Sequence, residues 1–291
     1  MATRKDPLRI AISVGVYVVL YIAAQIVLFW VLGMAGQLAG VTLTVFLAAV
    51  FTNWLALRIY EDCPLAALGL WWNRVSASNL ALGLLGGIGA ACLVLAPPLL
   101  TGAAHLVHVP QPPSGGTLVF VMIVLATGAV GEELLFRGYA FQVLLGAFGP
   151  FATLLPVAII FALLHGGNPN ATWFGLANTA GFGLLFGYAF LRTRDLWLPI
   201  GLHFGWNFTL PLFGVNLSGL RMEITGHEMV WTAGKLWSGG EYGPEASLLT
   251  SLVIIVLFVY VWKAPLRRQS SPLADPPVES TVCEPSPPSP S

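Results

Sequence analysis

Apolar residues run along this chain in blocks long enough to cross a bilayer, joined by short polar or Gly- and Pro-containing stretches. Crossing a ~30 Å hydrocarbon core takes about 20 helical residues. Runs of about this length fall at 10–33, 39–58, 79–100, 117–146, 150–165, 171–191, 195–213 and 247–262, which predicts eight helices. The fifth and seventh are short and contain or abut polar residues, as helices lining a cavity do. The longest connection, 214–246, carries Trp231, Trp237, Glu223, Glu228, Glu241 and Glu245 and reads as an interfacial loop, with a lid or re-entrant role as the alternative. From Ala264 the chain turns Pro/Ser-rich, so a membrane domain over 1–263 is expected to precede a disordered tail over 264–291.

Composition narrows the class. The 291 residues are 56% hydrophobic and 9% charged, where soluble domains carry roughly 25% charge. The expected fold is therefore all-α, a polytopic membrane protein with its site inside the helix bundle. Thirteen basic and thirteen acidic residues, with no basic tract, exclude a nucleic-acid partner. Cys63, Cys92 and Cys283 are far apart and lack CxxC spacing, so they suggest neither a disulfide framework nor a zinc-thiolate site. Arg4, Lys5 and Arg9 precede a long apolar run with no small-residue cleavage site, so the first span is expected to be retained. A cytoplasmic N-terminus places ten of the thirteen basic residues on that side, leaving Arg221 and Lys235 outside and Arg137 in the membrane. Both termini are then cytoplasmic, in what the compact chain suggests is a bacterial cytoplasmic membrane. Gly83/Gly87 and Gly183/Gly187 have the GxxxG spacing of close helix packing, read here as intramolecular.

Against this background Glu132, Glu133 and Arg137 stand out, because each charge at the bilayer centre costs about 2.5 to 3.5 kcal/mol on insertion scales. Glu133 and Arg137 are four apart and can neutralise each other on one helix face. Glu132 is rotated about 100° from its neighbour, free to face a cavity. Phe161 and His165 are four apart in PheAlaLeuLeuHis, as are His203 and Asn207 in HisPheGlyTrpAsn. Straight helices put Glu132 roughly 21 Å from an end near Gly146 and the other groups at broadly similar depths. A glutamate and a histidine sharing a water form a general-base pair, and His and Asn donors suit a developing oxyanion. Glu132 with two histidines is also a zinc set, but no HExxH helix is present and the ligands would come from three spans.

The three motifs GluGluLeuLeuPheArg at 132–137, PheAlaLeuLeuHis at 161–165 and HisPheGlyTrpAsn at 203–207, in that order, resemble the CAAX prenyl protease and bacteriocin-processing family. The eukaryotic Ras-converting enzyme belongs to it, and the likeness is firmest over 117–213. The resemblance implies an eight-helix intramembrane endopeptidase acting on a membrane-associated protein or peptide. Glu132 and His165 would activate water, His203 and Asn207 would form the oxyanion site, and Glu133, Arg137 and Phe161 would support them. No cofactor is expected, with zinc the unfavoured option. The competing readings are a non-catalytic membrane protein that binds a partner or peptide and a proton-coupled transporter, the latter opposed by the lack of an inverted repeat.

Overall fold

The computed structural model describes residues 6–33, 36–110, 113–275 and 283. Its helices are α1 (Pro7–Leu32), α2 (Gln37–Tyr60), α3 (Arg74–Thr101), α4 (Gly115–Arg137), α5 (Tyr139–Leu164), α6 (Trp173–Thr193), α7 (Trp197–Leu212) and α8 (Leu248–Lys263). A two-stranded antiparallel sheet, β1 (Ala104–His108) with β2 (His227–Trp231), clips the α3–α4 connection to the long loop after α7. Five helical runs are long and apolar enough to cross a membrane, and one of them, Gly115–Gly167, is 53 residues long. The molecule is an all-α polytopic membrane protein. Large apolar side chains such as Val19, Val27, Phe151 and Leu163 stand more than half exposed, as expected where the surrounding solvent is lipid.

The bundle is assembled by pairing α3 with α7, α2 with α4, α5 with α6, and α1 with α2. Backbone contact without side chains between them joins α3 and α7. A Cβ on Gly83 would sit 2.5 Å from the Leu198 carbonyl, one on Gly201 would sit 2.6 Å from the Leu80 carbonyl, and one on Gly205 would sit 2.8 Å from the Leu84 carbonyl. Gly183 approaches Ala158 and Gly187 approaches Leu154, both on α5, so both GxxxG pairs serve packing within the chain.

The helix expected over 117–146 is interrupted. It stops at Arg137, turns at Gly138, restarts at Tyr139 and kinks again at Gly149, whose φ of 80° lies in the left-handed region that favours glycine. A break at this depth leaves backbone groups that lipid cannot satisfy. Buried Asn53 on α2 supplies partners: its Oδ1 accepts the Tyr139 N–H at 2.7 Å, and its Nδ2 donates to the Leu134 carbonyl at 3.0 Å. Gln142 Nε2 donates to the Arg137 carbonyl at 2.9 Å. The apolar run is continuous through the break, so its pattern held no sign of a stop that a distant asparagine makes tolerable.

The described part of the tail packs on the bundle: the Gln269 N–H donates to the Thr193 carbonyl at 2.7 Å, Ser271 Oγ donates to Gln142 at 2.9 Å, and Leu273 and Ala274 are buried. The rest of that tail lies outside the described residues, except Cys283. Cys283 is joined to Cys63 by a disulfide across a sequence separation of 220, which corrects the reading of no disulfide. Spacing rules detect local frameworks, whereas this pairing follows from which ends of the bundle the fold brings together.

Candidate active site

The break at Gly138 places Glu132, Glu133 and Arg137 in the last turns of α4, five residues or fewer from its end. Glu133 and Arg137 are fully buried. Glu133 Oε1 accepts from Arg137 Nη1 at 3.3 Å and from His203 Nδ1 at 2.9 Å. Arg137 Nη2 donates to the Gly183 carbonyl at 2.8 Å, and its guanidinium lies 5.2 Å from the Phe161 ring centroid and 5.3 Å from that of Phe186. Phe186 also stacks on His203, with ring centroids 5.0 Å apart and planes inclined by 15°. The three charged or chargeable groups thus hold one another in an aromatic enclosure.

Glu132 faces the other way. Its Oε2 lies 3.9 Å from His165 Nε2 and 3.9 Å from His203 Nε2. These distances exceed direct hydrogen bonding but admit a bridging water. The oxygen is buried and has no hydrogen-bond partner among the described residues. His165 Nδ1 lies 2.8 Å from the Phe161 carbonyl, which can only accept, so Nδ1 carries the proton and a neutral ring offers Nε2 as a lone pair. Phe161 therefore contributes a carbonyl that fixes His165 as well as a ring over Arg137.

Glu132, His165, His203 and Asn207 line one cavity of about 620 Å³, with Phe136 and Phe161 among the apolar members of its wall. All four residues named from the motifs reach it, although the depth estimate that allowed this assumed an unbroken helix to Gly146. Among the described residues no group of three or more His, Cys, Asp or Glu is placed to hold a metal ion.

Residues 114–209 match the family model described as Type II CAAX prenyl endopeptidase Rce1-like. The matched stretch, 96 of the 291 residues, is similar to the Rce1-like family. The match runs from the N-cap of α4 into α7 and includes all three motifs, in agreement with the resemblance drawn from them. A search of curated proteins returned no match.

Two parts of the cavity wall come from outside the matched residues and were not identified from sequence. Ser218, Arg221 and Glu245 of the long loop after α7 line it. Buried Glu245 accepts the Trp206 indole N–H at 3.1 Å and the Ser218 hydroxyl at 2.8 Å, tying the loop to α7. Tyr21 and Gln25 of α1 also line it. A legible signal for these existed: Ser13, Tyr17, Tyr21 and Gln25 recur every fourth residue in an otherwise apolar span, a polar stripe along one helix face.

Proposed function

We propose that this protein hydrolyses a peptide bond of a membrane-associated protein or peptide, with a water activated by Glu132 and His165. The observation that carries the reading is Glu132 Oε2, a buried acceptor without a partner among the described residues, facing two imidazole Nε2 atoms at 3.9 Å. A water in that gap donates one proton toward Glu132 and the other toward His165. Its oxygen attacks the substrate carbonyl carbon, Glu132 takes the proton, and the same proton then passes to the leaving amine as the C–N bond breaks.

The tetrahedral oxyanion falls to His203 and Asn207. His203 donates its Nδ1–H to Glu133, so it donates through Nε2 only as imidazolium, a charge that Glu132, with Oε2 3.9 Å from that Nε2, helps to balance alongside Glu133. Loss of one oxyanion donor typically costs 10²–10³-fold in rate, the effect expected for Asn207→Ala. The mechanism is metal-free.

The decisive experiment is Glu132→Gln, which keeps shape and hydrogen bonding but removes the base. Comparison of membrane proteomes with wild-type and Glu132→Gln protein is expected to show uncleaved precursors only with the variant. Equal processing by both proteins sinks the peptidase mechanism and favours a peptide-binding role. Elemental analysis of the same active preparation tests the metal: stoichiometric zinc lost together with activity overturns the metal-free scheme.

A further inference from the structure

The stripe on α1 divides into two halves with different bonding. In its lower half, Ser13 Oγ donates to the Ile10 carbonyl at 3.2 Å, and the Tyr17 hydroxyl donates to the Leu135 carbonyl at 3.4 Å and accepts from Asn53 at 3.1 Å. These groups are consumed by the fold. In the upper half, Gln25 Nε2 donates to the Tyr21 hydroxyl oxygen at 3.0 Å, and the pair lines the cavity that Glu132 enters. Gln25 Oε1 is buried and has no hydrogen-bond partner among the described residues. The Tyr21 oxygen accepts from Gln25, so its own O–H is left to donate elsewhere.

The upper pair thus presents one free donor and one free acceptor side by side. Turning the Gln25 amide over exchanges their roles: Tyr21 O–H then donates to Gln25 Oε1, and Gln25 Nε2 and the Tyr21 oxygen become the free groups. Either arrangement leaves one of each. Buried groups of this kind cost free energy unless something completes them.

We propose that Tyr21 and Gln25 form a subsite that binds one peptide unit of an extended substrate backbone, its N–H and C=O meeting the free acceptor and donor. This rests on the endopeptidase reading above and extends it to a part of the chain outside the matched domain. The physical need is specific. A segment cleaved within the membrane must be unwound, and lipid offers its exposed amide groups no hydrogen-bond partner. A peptide unit carries one donor and one acceptor, the complement of what the pair offers. An apolar lipid chain would leave both groups of the pair unbonded.

The test uses full-length protein in lipid nanodiscs and an internally quenched farnesylated peptide ending in a CAAX tetrapeptide, with a series in which each backbone N–H in turn is N-methylated. Binding is measured on Glu132→Gln protein, so that cleavage does not interfere. One N-methyl position is expected to weaken binding about tenfold, the equivalent of about 1.4 kcal/mol. That penalty is expected to vanish when Gln25→Leu is added, which removes the free acceptor, and to persist with Gln25→Glu, which keeps a carboxyl acceptor. In protein with Glu132 intact, Gln25→Leu should raise KM with kcat little changed. An N-methyl penalty of equal size in every background, or a probe that none of the proteins binds, overturns the subsite. A probe bound with the expected cycle but never cleaved by the wild type overturns the peptidase reading and leaves the subsite standing.

Discussion

At the scale of single residues, two adjacent glutamates are placed in opposite circumstances. Each has a buried Oε2 without a hydrogen-bond partner among the described residues, but Glu133 is fully buried and its Oε1 is bonded by both Arg137 and His203, whereas Glu132 meets two imidazoles only at 3.9 Å. Their substitution should therefore affect stability differently. Glu133→Gln leaves the buried guanidinium of Arg137 without its counter-charge, and breaking such a pair typically costs about 3–5 kcal/mol. Glu132→Gln removes a carboxylate that makes no direct hydrogen bond through Oε2, so stability is expected to stay within about 0.5 kcal/mol of wild type. Thermal denaturation in detergent distinguishes them. Equal losses in both variants would show that Glu132 is as structural as its neighbour, and the division of labour would fail.

At the scale of elements, the sequence was informative about which residues meet and poor about where helices stop. Eight apolar runs and three motifs were readable because each depends on local spacing. The break at Gly138 was not, since it is stabilised by Asn53 from another helix, and tertiary partners leave no mark on a hydropathy pattern. Half of the α3–α7 seam was visible in Gly83 and Gly87; the matching Gly201 and Gly205 were hidden in a span already occupied by a motif. That seam matters to the site because α7 carries His203 and Asn207. A Cβ on Gly87 would collide with the Leu202 carbonyl and approach the Trp206 amide nitrogen to 2.8 Å, while Gly89, two residues on, has nothing within 4 Å. Gly87→Ala is expected to destabilise the protein by about 1–3 kcal/mol through overpacking and to lower peptidase activity as α7 is displaced. Gly89→Ala should leave both unchanged or raise stability. Similar behaviour of the two variants, in melting temperature and cleavage rate, would mean that the seam does not position α7.

At the scale of the whole molecule, one end of the bundle is tied together and carries most of the positive charge. Arg9 bonds Glu61, Arg58 pairs with Asp62, Arg192 donates to the Trp262 carbonyl, and Arg194 and Arg268 both reach Asp275. Asp195 sits at the centre of this end, accepting from Asn79 at 2.7 Å and Gln269 at 2.9 Å. Burial lifts its carboxyl above the ordinary value, opposed by those bonds and by the Leu198 and Thr193 donors. A raised carboxyl pKa means that the folded state holds the proton more tightly than the unfolded chain. Its contribution to stability is thus largest in acid and declines as pH rises through the folded value. Asp195→Asn is expected to flatten that part of the profile in melts taken across pH, and parallel profiles would refute the assignment. The same concentration of charge predicts an orientation. Basic residues favour the cytoplasmic side, so this end should face the cytoplasm, while the β1–β2 clip and the loop that walls the cavity face outward. A topology reporter fused at Ala233 should give the external signal and one fused at Ser270 the cytoplasmic signal. A cytoplasmic signal at Ala233 would invert the molecule and move the loop side of the cavity, with Ser218, Arg221 and Glu245, to the cytoplasmic face.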